Sequence, residues 1–410
     1  MKIHLIGIGG IGVSALAQYY LEKGHQVSGS DLVVSEITDF LRNKGIKIFI
    51  GNFAKNISKN LDLVVCSPAV KPQNVEYKQA KKYKIKIQTY PEALGDLTKE
   101  YYTIAVAGSH GKSTTTAMLA LVLIKAGLDP TVIVGTKLKE FGNSNFRIGK
   151  SKILVIEACE YDSSFLNYYP KIIVVTNIDK EHLDYFKTFA NVKKAFDKFI
   201  KKLPEDGHLI QNISLNHPDA NKIKKVLKVP GQHNIYNALA AFQVAKILLV
   251  PDEIILKALS EFRGTWRRFE EKNSKFKNLR IISDYGHHPN EVKATLQAAR
   301  EKYPNKKIWC VFQPHQHQRT YYLFNDFVKI FRESLIDKII ITDIYDVAGR
   351  ETKKINLGTS SEKLVKAVKK ESVIYCATED LEKFAKKNIN SGEVLLIMGA
   401  GDIYKLAEKF

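Results

Sequence analysis

Short apolar runs alternate with longer amphipathic stretches along almost the whole chain. Some runs are apolar almost throughout, such as Ile172-Ile173-Val174-Val175-Thr176 and Thr103-Ile104-Ala105-Val106-Ala107. Runs of that kind suit strands covered on both faces of a parallel sheet. The pattern predicts strands at 2–6, 26–29, 47–50, 63–66 and 86–89 in a first unit, 1–97. A second unit, 98–263, has strands at 103–107, 153–156 and 172–176. A third, 264–410, has them at 280–283, 307–312, 338–342, 373–376 and 394–398. Helices are expected between them, so the fold class is α/β with parallel sheets.

A chain of 410 residues is too long for one compact core and suits two or three domains. A hydrophobic content of 45% leaves enough apolar surface to build them. No apolar run is long enough to cross a bilayer, so no membrane partner is expected. Residues 1–7 run directly into a strand and its glycine turn, without the regions of a secretory signal. A cytoplasmic protein is the expectation. The four cysteines, Cys66, Cys159, Cys310 and Cys376, are widely spaced and form no C-x-x-C pair. That argues against a disulfide framework or a structural zinc site.

The formal charge of +20 is compatible with nucleic-acid binding, with attraction of anionic substrates, or with lysines on solvated helix faces. Pairs such as Lys81-Lys82, Lys193-Lys194 and Lys369-Lys370 are scattered at helical spacings. No basic motif is interleaved with aromatics in the manner that stacks single-stranded bases. The solvated-face reading is favoured, with no nucleic-acid partner.

Gly7-Ile8-Gly9-Gly10-Ile11-Gly12 fits G-x-G-x-x-G between a strand and a helix expected at 14–22. Such a turn lets the backbone approach a diphosphate at the positive end of the helix. Asp31 ends the next strand nineteen positions after Gly12, where a ribose-binding acid would stand. The motif specifies a diphosphate better than it specifies a nicotinamide cofactor.

The second motif is sharper. The strand 103–107 is followed by Gly108-Ser109-His110-Gly111-Lys112-Ser113-Thr114-Thr115-Thr116 and an apolar helix at 117–125. This is strand, phosphate loop, helix. Backbone amides would cradle phosphates, Lys112 would reach the β and γ groups, and the Ser113 hydroxyl would ligate Mg²⁺. The loop is shorter than a strict Walker A motif, whose first glycine position is occupied by Val106.

Acids gather at two further strand ends. One is Glu157-Ala158-Cys159-Glu160-Tyr161-Asp162; the other opens Thr176-Asn177-Ile178-Asp179 and continues to His182. Glu157 and His182 could meet on neighbouring strands around Mg²⁺. Histidine is an unusual ligand for that ion, so His182 could equally cap a loop. Most histidines lie in turns, where functional residues concentrate. They include His110, His233, His287, His288, His315 and His317. A zinc reading of His287-His288 lacks an evident third ligand.

As a set these motifs resemble the Mur ligases of peptidoglycan synthesis. The resemblance rests on residues 7–12, 108–116, 157–162, 176–184, 230–238, 267–269, 284–289, 312–320 and 398–403. It implies a Rossmann-like N-terminal domain for a UDP-sugar, a central P-loop ATPase-like parallel sheet, and a C-terminal Rossmann-like domain for the acceptor. It is greatest to those members that join L-alanine to UDP-N-acetylmuramate, and so implies these two partners, ATP and Mg²⁺. By that resemblance Gly9, Gly10, Gly12 and Asp31 serve the UDP-sugar, and Gly108, Ser109, His110, Gly111, Lys112, Ser113 and Thr114 hold ATP. Ser113, Glu157 and His182 are implied as metal ligands, and Lys112, Glu157 and His182 as the catalytic set. His233, Asn234 and Asn237 match positions at the adenine. Arg268 and Asp284 match positions on the other side of the nucleotide. His287, His288, His315 and Arg319 face the acceptor. A monomer or homodimer is expected.

The sequence departs from the family pattern in four places. Ser109 and Ser113 replace threonines, keeping the hydroxyls. Cys159 stands where the acidic motif carries aspartate. Gln316 and His317 replace arginine and tyrosine beside the acceptor. Residues 207–229 are fewer than usual, so a small accessory sheet of the central domain is expected to be missing. Three rival readings remain: a sibling ligase that attaches a preformed peptide, an NAD-dependent oxidoreductase, and a nucleic-acid-stimulated ATPase.

Overall fold

A computed structural model describes residues 1–274, 276, 278–346 and 358–410. Among these residues the chain forms three sheets. The first contains β1 (Lys2–Ile6), β2 (Gln26–Asp31), β3 (Lys47–Ile50), β4 (Leu63–Cys66) and β5 (Lys86–Thr89). They are all parallel, in the order β3-β2-β1-β4-β5. The order reverses beside β1, so the turn after β1 opens at the switch point where α/β sheets bind ligands.

The second sheet is built from β6 (Tyr102–Ala107), β7 (Thr131–Leu138), β8 (Ser144–Arg147), β9 (Ile153–Glu157), β10 (Ile172–Val175) and β11 (His208–Ile210). Its order is β11-β10-β6-β9-β7-β8, with only β8 antiparallel. β6 is central, and its C-terminal end carries the phosphate loop. The third sheet comprises β12 (Glu270–Asn273), β13 (Arg280–Asp284), β14 (Ile308–Phe312), β15 (Lys338–Ile341), β16 (Val373–Tyr375) and β17 (Val394–Met398). It is ordered β12-β13-β17-β14-β15-β16, with β12 antiparallel at the edge.

The apolar runs read from sequence are buried on both faces, as parallel strands require. In the third sheet, Ile282, Cys310, Phe312, Ile339 and Leu396 enter one core, while Ile281, Trp309, Val311, Ile340 and Leu395 enter another. The period of two thus divides each run between two layers of helices.

The chain falls into two compact units. Residues 1–226 with 236–260 form one, holding the first two sheets; residues 227–235 with 261–410 form the other. Within the first unit one apolar core runs from Leu5 and Leu16 through Leu94 to Leu154, Phe165 and Phe199, and a smaller one gathers Ile6, Ile57, Val64 and Ala80. Residues 208–226 supply only β11 and the helix Ala220–Val226 beyond the central strands.

Sequence pattern misplaced some boundaries. The helix after the first turn spans Ile11–Glu22, and the helix after the phosphate loop starts at Lys112, not at 117. Ser113, Thr114, Thr115 and Thr116 have weak helix propensity, yet all four are buried in this helix. Tertiary packing overrides their preference. Cys66, Cys310 and Cys376 are buried thiols, Cys159 is exposed, and none is in a disulfide. Among the described residues no helix is long and apolar enough to cross a membrane.

Candidate functional site

The first turn is held from behind. The Ser30 carbonyl accepts from the Gly7 and Ile8 amides at 2.8 and 3.0 Å. Gly10 N donates to the Gly7 carbonyl, and Gly10 precedes the helix Ile11–Glu22. Gly12 lies in its first turn against the ring of Tyr90. Asp31 is placed at the turn, but its Oδ2 accepts from Gly9 N at 2.8 Å. Its carboxylate therefore braces the turn rather than standing open, as a purely ribose-binding acid would.

Below this turn lies a buried cluster that motif reading missed. Ser30 Oγ donates to Glu76 Oε2 at 2.5 Å, and Asn56 Nδ2 donates to Oε1 at 2.5 Å. His4 Nε2 is 3.9 Å from the same carboxylate, and all four side chains are buried. Burial alone would raise the Glu76 pKa; the nearby His4 ring and hydrogen bonds from Ser30 and Asn56 outweigh it and hold the carboxyl below the ordinary glutamate range.

The phosphate loop is fixed by the end of β10. Ser109 N donates to the Asn177 carbonyl at 3.0 Å, and His110 N to Asn177 Oδ1 at 3.0 Å. The His110 carbonyl accepts from Thr176 Oγ1 and Asn177 Nδ2, while His110 Nε2 lies 3.2 Å from Asp179 Oδ2. Ser109 Oγ accepts from Asp179 N at 2.8 Å. Two glycines are required. Gly108 has φ +135° with Thr176 Oγ1 only 2.0 Å from where a Cβ would stand; Gly111 has φ +85° with Asn237 Oδ1 at 2.3 Å. Asn237 is thus placed directly on the loop.

Gly111 leads straight into the helix Lys112–Lys125, so the first-turn amides of a helix face the loop. Such a terminus favours phosphate. Lys112 Nζ folds back to the carbonyls of Gly108 at 2.5 Å and Ser109 at 3.0 Å. It is also 3.0 Å from Glu160 Oε2. Burial would depress the Lys112 pKa, but Glu160 above all, then Cys159 and Glu157, hold it above the ordinary lysine range. The ammonium is therefore charged at neutral pH.

The three residues expected at a metal ion are placed unequally. Ser113 is buried at the helix start. Glu157 ends β9, and its Oε2 accepts from Gly135 N at 2.7 Å. His182 sits at φ +54° ahead of the short helix Leu183–Phe186, with its ring 4.9 Å from that of Tyr161. Its Nε2 faces Glu160 at 3.8 Å and Glu181 at 3.7 Å. The carboxylates beside His182 are therefore Glu160 and Glu181, not Glu157. The donor set still suits a hard cation: a hydroxyl, several carboxylates and one imidazole converge on the loop. Glu160 Oε2, fully buried, accepts no hydrogen bond.

The second compact unit carries the other predicted residues. His233 is half-buried beside Gly231, and Asn234 donates to the Pro230 carbonyl at 2.6 Å. Burial lowers the His233 pKa, with Asp284, Glu301 and Glu291 opposing, so its imidazole is neutral at pH 7. Asp284 is fully engaged: Oδ2 accepts from Phe269 N, and Oδ1 from Gly286 N and Thr295 Oγ1. It shapes the loop after β13. Arg268 lies over the Tyr285 ring and 3.9 Å from Glu291. Buried Arg267 donates to the Gly399 and Gly401 carbonyls, tying 265–270 to the turn after β17.

His287, His315 and Arg319 come together. The rings of His287 and His315 are 5.8 Å apart, and Arg319 Nη1 lies 3.1 Å from His315 Nδ1. His315 stacks on Tyr345. Gln316, at φ +71°, sets the turn that aims the helix His317–Tyr322. His288 points elsewhere: its Nδ1 caps the helix Pro289–Lys302. Glu160, Asn177 and Glu76 were not singled out from sequence. Glu160 lay inside the acidic run, but no spacing rule distinguished it from Glu157.

A braced diphosphate turn, a lysine-bearing phosphate loop on a central strand and a further α/β sheet define a class: multidomain α/β enzymes that handle phosphorylated substrates. Within that class, this chain belongs to the Mur ligase family. Three family descriptions match it in succession: the Mur ligase family catalytic domain over 2–102, the Mur ligase middle domain over 106–225, and the Mur ligase glutamate ligase domain over 267–401. The UDP-N-acetylmuramate–L-alanine ligase of Aquifex aeolicus is 41% identical, covering all of this chain and 97% of that protein. The enzyme of the same name from Clostridium tetani is also 41% identical over the full chain and 97% of its own length. Among solved structures, the UDP-N-acetylmuramate–alanine ligase of Thermotoga maritima has a TM-score of 0.82 at 30% identity, covering all of this chain and 98% of that one.

Proposed function

We propose that this chain uses ATP to join L-alanine to UDP-N-acetylmuramate in the cytoplasm, activating the muramoyl carboxylate as an acyl-phosphate. The observation that carries the reading is the phosphate loop, in a chain related end to end to ligases of that name. The diphosphate turn holds the UDP-sugar. The loop amides and Lys112 hold the triphosphate, with Asn237 against the loop. The carboxylate attacks the γ-phosphorus, ADP leaves, and Lys112 offsets the charge on the transferring group. The neutral amine of the amino acid then attacks the acyl carbon and phosphate departs. Arg319, aligned by His315, is assigned to the acceptor carboxylate. Magnesium, held by Ser113, Glu157 and His182 with Glu160 behind them, would neutralise phosphate charge.

The test offers L-alanine and a preformed tripeptide separately, with ATP and UDP-N-acetylmuramate, and follows phosphate release. Turnover with L-alanine is expected. Turnover with the tripeptide alone would transfer the chain to the sibling peptide-adding activity. Binding of NAD in place of UDP-N-acetylmuramate would support the oxidoreductase reading. ATP hydrolysis stimulated only by nucleic acid would favour the ATPase.

A further inference from the structure

The proposed reaction leaves Glu160 behind the metal ligands with no step of its own, although it is an acid in direct contact with the phosphate-loop lysine. Its side chain is 1% exposed, with Oε2 at 3.0 Å and Oε1 at 3.3 Å from Lys112 Nζ. The ammonium donates hydrogen bonds to the Gly108 and Ser109 carbonyls and to Glu160 Oε1, while Oε2 accepts none. Glu160 is thus the charge partner of Lys112 and also accepts one of its hydrogen bonds. Oε1 continues to His182 Nε2 at 3.8 Å. One buried carboxylate faces both the lysine and the histidine of the proposed nucleotide site.

We propose that Glu160 is an internal counter-anion that competes with nucleotide phosphate for Lys112, and so makes nucleotide binding depend on a divalent cation. The inference rests on residues 108–114 being the nucleotide loop. In the free protein the lysine charge is already matched by Glu160, so the pair offers an incoming anion little net attraction. A bare nucleotide would bring several negative charges beside a carboxylate that water cannot screen, where like charges repel strongly. A divalent cation entering with the phosphates offsets both, and Lys112 can then turn from Glu160 to the phosphate. Glu160 is a positioning residue in this account, because it acts through Lys112. Its effect is to exclude nucleotide that arrives without its metal.

The experiment measures ADP affinity by calorimetry on the full chain, once with excess Mg²⁺ and once with EDTA. The wild-type chain is expected to bind ADP far more weakly in EDTA. In Glu160→Gln the metal-free affinity should rise about tenfold or more, while the affinity with Mg²⁺ changes less. Glu160→Ala removes the same charge and should move the ratio in the same direction, which covers a failure of the glutamine variant to fold. Glu160→Asp keeps the charge and should keep the wild-type ratio. An ion pair with only a structural role would lower the melting temperature and leave the ratio alone. Wild-type binding with an unchanged ratio in the charge-removed variants overturns the inference by itself. Absence of ADP binding by the wild-type chain under both conditions overturns the phosphate-loop reading beneath it.

Discussion

Asp31 Oδ2 accepts a hydrogen bond from the Gly9 amide at 2.8 Å, so the acid at the end of β2 is built into the glycine turn after β1, the proposed diphosphate site. This separates two roles that sequence spacing merges. An acid acting on a ribose would contribute only to ligands that carry one. An acid that braces the turn contributes to any diphosphate placed there. Asp31→Ala is expected to weaken UDP-N-acetylmuramate by about 1–2 kcal/mol, roughly 5- to 30-fold, as the loss of a charge-assisted hydrogen bond implies. The same factor should apply to a sugar diphosphate lacking the nucleoside. A loss confined to nucleoside-bearing ligands in a competition assay would return Asp31 to the ribose.

Lys112, assigned above to the nucleotide phosphates, lies 3.0 Å from the buried Glu160 Oε2. Lys112→Ala should therefore abolish ATP turnover. It also leaves a buried carboxylate without its cation, which costs about 3–5 kcal/mol where such pairs have been broken. The expected variant keeps its far-UV circular dichroism but melts earlier. Phosphate release near the wild-type rate would remove Lys112 from the proposed mechanism.

Most strands were legible because a parallel sheet buried on both faces needs unbroken apolar runs, and residues 172–175 or 394–398 have them. β12 was not legible. Glu270-Glu271-Lys272-Asn273 is polar throughout and is a strand only because it pairs antiparallel with β13 at an edge. β7 and β8 escaped for a related reason: Gly135 interrupts the first, and the second, Ser144-Asn145-Phe146-Arg147, is mostly polar. The site divides in the same way. Loops proposed to bind through their backbone, 7–12 and 108–114, announce themselves through their glycines. Side chains that act through a neighbour do not. Nothing in the spacing of Glu76, forty-six positions after Ser30, says that the two share a hydrogen bond.

Asn145 illustrates a long-range relation with a measurable consequence. It lies on β8, yet its amide donates to the Ile11 carbonyl and to Ser14 Oγ in the first turn of the diphosphate helix. Gln18 Nε2 donates to Asn145 Oδ1 at 3.0 Å, and Ser144 Oγ donates to Gln18 Oε1 at 2.9 Å. All of these side chains are buried. A satisfied buried network fixes one arrangement, and removing a member leaves its partners desolvated, at about 1–3 kcal/mol each. Asn145→Leu should lower the melting temperature and raise the KM for UDP-N-acetylmuramate, while the affinity for ADP changes little. Equal losses for both ligands would point to general unfolding instead of a displaced diphosphate helix.

Glu76 gives the stability a definite dependence on acid. Its folded-state pKa lies below its ordinary value because His4, Ser30 and Asn56 favour the carboxylate more than burial disfavours it. The unfolded chain therefore takes up the proton first as pH falls. Between the two pKa values the unfolded state holds more protons, so stability rises with pH across that window. The contribution is fully present above the ordinary glutamate pKa of about 4.3 and is lost as pH drops through the lower folded value. Glu76→Gln cannot titrate and lacks this term. Urea midpoints measured from pH 7 down to pH 3 should show the wild-type chain more stable at neutral pH, with its advantage over Glu76→Gln shrinking below about pH 4.3. Because Ser30 links Glu76 to the Gly7 and Ile8 amides, the same variant should bind UDP-N-acetylmuramate more weakly at neutral pH. A gap between the two chains that stays constant over this range would mean that the Glu76 carboxyl carries no stabilising charge in the folded protein.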